Sequence, residues 1–123
     1  MAYRVTKAFA FSASHALPGY DGPCAEMHEH DWKVAVTVRA GQLNSSAFVI
    51  DFFKLEELWK RIKARFDGGV INEVEPFNAE WPTSENLARW MFEEFERGMP
   101  LATVLERVEV WEDETSGASY SAT

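Results

Sequence analysis

The sequence predicts an α+β fold, an antiparallel four-stranded sheet with two helices on one face, in the order β-β-α-α-β-β. Three observations carry this. Residues 3–15 and 28–39 alternate apolar with polar side chains, which is the period of a strand. Residues 52–66 and 87–95 instead repeat apolar residues at spacings of three and four. Short alternating runs then return at 105–112 and near 118–122.

In the first strand Tyr3, Val5, Lys7, Phe9, Phe11, Ala13 and His15 share one phase, apolar apart from Lys7 until the histidine. Pro18, Gly19, Asp21, Gly22 and Pro23 make the next stretch a loop. In the second strand His30, Trp32, Val34, Val36 and Val38 face one way, and Asp31, Lys33, Thr37 and Arg39 the other. Asp51 is an N-cap for a helix whose stripe is Phe52, Leu55, Trp59, Ile62 and Phe66, ended by Gly68 and Gly69. Thr83-Ser84-Glu85-Asn86 opens a second helix with the stripe Leu87, Trp90, Met91 and Phe95, stopped by Gly98 and Pro100. Val108, Val110 and Glu112 share a phase in the third strand. The helices cover one sheet face. In so short a chain the other face calls for a second copy, so a homo-oligomer is expected.

Length and charge narrow the function. A chain of 123 residues leaves room for one domain, 1–123. The balance of 12 Lys+Arg against 20 Asp+Glu gives a net charge of -8, and no basic cluster stands out. Nucleic acid is therefore not an expected partner. No apolar run is long enough to span a membrane, and no signal-peptide core is visible. A single cysteine cannot form an internal disulfide. A reduced, cytoplasmic protein is expected.

All three histidines, His15, His28 and His30, and the one cysteine, Cys24, fall between residues 15 and 30. His28 and His30 are two apart on a strand, so they point the same way. His15 ends the neighbouring strand. Antiparallel pairing brings the three imidazoles together, a donor set that suits zinc and leaves a position open. Three core histidines satisfied by hydrogen bonds are the alternative. Cys24 is either an inert thiol or, near a metal or imidazole, a nucleophile or base. Glu112 lies in an apolar phase, where a carboxylate needs a partner. That partner is a cationic side chain or the guanidine-like edge of a ligand such as a pterin.

These residues resemble the 6-pyruvoyltetrahydropterin synthase / 6-carboxytetrahydropterin synthase family. Phe11-Ser12-Ala13-Ser14-His15 is similar to its F-x-A-x-H segment. Cys24, His28 and His30 stand as in its C-x3-H-G-H motif. Val49-Ile50-Asp51-Phe52 resembles V-x-D-F, and Pro82-Thr83-Ser84-Glu85-Asn86 resembles P-T-x-E-N. Glu112 stands where the family's pterin-anchoring glutamate is expected. The resemblance implies the tunnelling fold, in which trimers close their strands into a barrel and two trimers stack. It implies zinc on His15, His28 and His30, Glu112 gripping a pterin, and Cys24 as proton-transfer base tuned by an Asp-His pair. The usual substrate is 7,8-dihydroneopterin triphosphate.

Two departures stand out. The family's L-D-H-x-x-L-N appears as Phe66-Asp67-Gly68-Gly69-Val70-Ile71-Asn72, so Asp67 persists while Gly68 replaces the relay histidine. Glu29 replaces the glycine between the two histidines, and either adds charge near the metal or points to the opposite strand face. The expectation is a zinc-dependent lyase on the side chain of a dihydropterin, with altered chemistry such as cleavage to a 6-hydroxymethyl pterin. It is placed on a route to a deazapurine, as in queuosine-like pathways, or to a modified pterin. The alternative is a non-catalytic, zinc-containing pterin- or purine-binding protein. At net charge -8, a dephosphorylated substrate is a reasonable alternative to the triphosphate.

Overall fold

A computed structural model describes residues 1–122. The strands are β1 (Tyr3–His15), β2 (His28–Ala40), β3 (Val104–Trp111) and β4 (Gly117–Ser121). They form one antiparallel sheet in the order β1-β2-β3-β4. The helices α1 (Phe52–Phe66) and α2 (Ser84–Arg97) lie between β2 and β3 in the chain, and both pack on the same face. The expected β-β-α-α-β-β order is what is found. Two single-turn 3-10 helices, Pro23–Ala25 and Ile71–Glu73, add to it. Among the described residues no helix is long and apolar enough to cross a membrane.

Alternation decides which side chains meet the helices. Phe11, Ala13 and His15 of β1 and Trp32, Val34, Val36 and Val38 of β2 are buried on that face. From α1 come Leu55, Leu58, Trp59, Ile62 and Phe66, and from α2 Leu87, Ala88, Met91, Phe92 and Phe95. Phe52, expected in the α1 stripe, is 44% exposed, because it starts the helix beyond the reach of the core. Trp90 is half-buried and meets Phe66 and Phe77 edge to face. The opposite sheet face carries Arg4, Thr6, Ala8 and Ala10, all exposed in this chain.

The helix caps are those the sequence marks. The Asp51 carboxylate accepts from the Phe53 N–H at 2.9 Å, and the Thr83 hydroxyl accepts from the Asn86 N–H at 3.1 Å. At its other end α1 is capped by Asp67, and Gly68 follows at φ +76°, where a side chain is strained. The chain then runs along the edge of β1. Ser12 and Gly68 are joined by an N–H to carbonyl bond of 2.7 Å, Gly69 accepts from Ser14 at 2.9 Å, and Val70 bridges Ser14.

Phe66 anchors this turn. It is 1% exposed and lies against Phe11, Phe77 and Trp90. Phe66→Ala is expected to destabilise the protein by about 3–5 kcal/mol, as large core truncations do. Urea unfolding checks this. A loss under about 1 kcal/mol would mean that the site collapses around the deletion.

Candidate metal centre and active site

The register of β1 and β2 builds the site. His15 pairs directly with His28, and Ala13 pairs with His30. All three histidines fall on the helix-bearing face, at the end of the sheet beyond Trp32. The Trp32 indole N–H donates to the Ala13 carbonyl at 3.1 Å. Its ring meets those of His15 and His30 edge on, with centroids 4.8 and 5.4 Å away. It is a rigid, buried floor under the imidazoles. Its phase in the sequence marked it as core, but only the packing shows this second role.

The orientation of the rings is set from behind. His15 Nδ1 lies 2.8 Å from the Pro82 carbonyl, and His28 Nδ1 lies 2.7 Å from the Glu26 carbonyl. A carbonyl only accepts, so each Nδ1 is the donor and each Nε2 is left with a lone pair. Those two lone-pair nitrogens face each other at 2.9 Å. The third, His30 Nε2, is buried without a hydrogen-bond partner. It does lie 3.1 Å from Glu112 Oε2, but not in hydrogen-bonding alignment.

Three unsatisfied nitrogens and a carboxylate oxygen thus converge, all within 4.8 Å of one another. Lone pairs this close repel unless a proton or a cation lies between them. Zinc bonded to nitrogen at 2.0–2.1 Å separates tetrahedral ligands by about 3.3 Å, close to this spacing. Carbonyl partners on the far ring nitrogens are the usual support of histidine ligands. The donor set therefore fits zinc.

Burial pushes the His15 pKa below its ordinary 6.5, helped by the neighbouring His28 and His30 and opposed by the Pro82 hydrogen bond and Glu112. The native imidazole stays neutral where the unfolded one takes a proton. Its contribution to stability is complete above pH 6.5 and is lost as pH falls through the lowered folded value. Metal-free protein is expected to lose thermal stability on acidification below about pH 6.5, and less steeply in a His15→Gln variant. Equal slopes in the two proteins would contradict this.

Glu112, expected in the phase of Val108 and Val110, falls just past the end of β3, in the turn to β4, and its carboxylate joins the histidines. Glu29 resolves to the second of its two alternatives. It alternates with His28 and His30 on β2, so it points to the other sheet face, where it is exposed.

Cys24 lies on the 3-10 turn between β1 and β2, with its thiol exposed. Its carbonyl accepts from the Leu17 N–H at 3.0 Å, which folds this loop back to the end of β1. It is not among the four grouped donors. Asp67 also stands apart from them, with one carboxylate oxygen accepting from the Ser12 N–H at 2.9 Å. Among the described residues, nothing beyond its chain neighbours lies within 4 Å of the point where a side chain on Gly68 would start.

Fold and site together define an α+β protein with a candidate metal centre of three histidines and a carboxylate at the end of its sheet. Comparison with known proteins makes this particular. The sequence profile described as 6-pyruvoyl tetrahydropterin synthase matches residues 4–123, and the chain belongs to that family. Its sheet and helices are those of the family's tunnelling fold. It is 34% identical over 122 residues to a 6-carboxy-5,6,7,8-tetrahydropterin synthase of Synechocystis, covering 94% of this chain and 91% of the relative. It is 27% identical over 117 residues to a dihydroneopterin monophosphate aldolase of Pyrococcus furiosus, covering 95% and 96%. The solved 6-pyruvoyl tetrahydropterin synthase of Caenorhabditis elegans superposes with a TM-score of 0.88 at 25% identity, covering 100% of this chain and 97% of that one.

Proposed function

We propose that the protein is a zinc-dependent lyase acting on the side chain of a dihydropterin. The observation that carries this reading is the convergence of three histidine Nε2 atoms, two of them held by backbone carbonyls behind the rings. Bound zinc would supply Lewis acidity to the side-chain hydroxyls. Cys24 is the proton-transfer base, reached from the loop that folds over the end of β1. Asp67 positions the edge of β1 through Ser12. Glu112 meets the substrate beside the histidines.

Among lyase reactions, Gly68 in the relay position supports cleavage. A relay that shuttles protons between several side-chain carbons needs more than one tuned group. Retro-aldol cleavage needs one base. That base takes the proton from the C2′ hydroxyl and the C1′–C2′ bond breaks. The electron pair is held by the pterin, and C1′ then takes a proton. The products are a 6-hydroxymethyl dihydropterin and a two-carbon hydroxyaldehyde, phosphorylated where the substrate is. The named aldolase among the relatives is consistent with this course.

On this reading residues 1–123 act as one cytoplasmic pterin-enzyme domain in a homo-oligomer, a trimer or hexamer. The exposed face of the sheet lines the barrel, and sites lie between chains. The products would enter deazapurine or modified-pterin synthesis. The absent relay histidine favours a second reading, a zinc-containing protein that binds pterin or purine without turnover.

Incubation with 7,8-dihydroneopterin and its mono- and triphosphates, followed by chromatography, separates the two readings. The lyase produces a 6-hydroxymethyl dihydropterin from at least one of them and loses this in Cys24→Ala. A tight complex with every substrate intact would establish the second reading.

A further inference from the structure

We propose that Glu112 is a displaceable fourth metal donor. Its carboxylate completes the donor set while the site is empty of substrate, and it withdraws when a dihydropterin side chain arrives. This rests on the zinc reading above and extends it to the resting state.

The four donors are not held alike. His15 and His28 are each fixed through Nδ1 to a backbone carbonyl, and His15 is buried against Trp32. The Glu112 carboxylate accepts no hydrogen bond among the described residues. It lies 3.1 Å from His30 Nε2.

The backbone beneath Glu112 is nonetheless firm. Its N–H donates to the Ser116 carbonyl at 3.0 Å. Asp113 Oδ1 accepts from the N–H groups of Thr115 and Ser116, both at 2.8 Å, which locks the turn. A fixed backbone with an untethered carboxylate is the arrangement a movable ligand needs. The three χ angles of glutamate give it the reach.

The chemistry asks for such a ligand. Four protein donors make a closed, structural type of site, whereas catalysis needs an open position. A carboxylate that is in reach but unsupported reconciles the two. It shields the metal at rest and gives way to a chelating side chain. Once displaced, it still lies beside the reacting end, where it can accept a hydrogen bond from a substrate hydroxyl.

Cobalt(II) reports the donor set by its visible spectrum. The test compares wild type, Glu112→Ala and Glu112→Gln, each loaded with cobalt, alone and with neopterin, an oxidised analogue that does not turn over. Without neopterin, both variants should differ from wild type in spectrum and bind metal at least 10–100-fold more weakly, the range for disturbing a metal's supporting shell. With neopterin, all three spectra should coincide, because the carboxylate has left in wild type. Identical spectra and affinities without neopterin would overturn the proposal and leave the three-histidine site standing. Failure of wild type to take up cobalt or zinc at all would overturn the zinc reading itself. Glu112→Gln keeps the shape of the side chain, so loss of the turn in Glu112→Ala would not obscure the result.

Discussion

The His28→Ala/His30→Ala double variant is expected to lose its metal and its turnover together while keeping its fold. Both side chains are half-buried at the open end of the sheet, and neither belongs to the core. Loss of one outer-shell partner alone costs about 10–100-fold in metal affinity. Loss of two direct donors exceeds that and leaves His15 and Glu112 as the remainder of the set. Metal content by elemental analysis should fall from about one per chain to background, with the circular dichroism spectrum unchanged. Metal retained at the wild-type level would show that the histidines are only packed neighbours. The short Nε2 to Nε2 distance would then need a shared proton instead.

Gly68→His should increase turnover. The position is open, with nothing beyond its chain neighbours within 4 Å of an added Cβ among the described residues, and its φ of +76° is one that histidine adopts more readily than most residues. The strain costs about 1–2 kcal/mol, which the core can absorb. The new imidazole stands directly after Asp67, in the order the family's relay uses. If proton transfer limits the present reaction, a positioned acid-base group adds about 10²–10⁴-fold. The increase should be greatest for reactions that move protons between side-chain carbons. Stopped-flow or chromatographic rates on the same dihydropterins check it. An unchanged rate and product in a folded variant would mean that the relay's absence does not limit this protein.

Much of this was legible in the sequence, for a physical reason. Strand alternation is strict over β1 and β2, so the shared phase of His15, His28, His30 and Trp32 could be read without coordinates. The caps at Asp51 and Thr83 follow from local hydrogen bonding and were equally readable. Glu112 was harder. Its phase was right, but whether it meets a distant ligand edge or the histidines depends on how the β3–β4 turn sets it against β2. That is a tertiary relation without a local signal. Asp67 shows the same limit. Its place after α1 could be read, yet its bond to the Ser12 amide depends on where the chain meets the edge of β1. The carbonyls of Pro82 and Glu26 behind the imidazoles carry no side-chain signature at all.

The central claim is that three histidines hold a metal which this chain uses to cleave a dihydropterin side chain. The most direct test is turnover of 7,8-dihydroneopterin and its phosphates by chelator-stripped protein, before and after stoichiometric zinc is restored. The expected result is no product from stripped protein and a 6-hydroxymethyl dihydropterin once zinc returns, with neither seen in the His28→Ala/His30→Ala variant. Equal product with and without zinc, or none from the zinc-restored protein on any of these substrates, would contradict it.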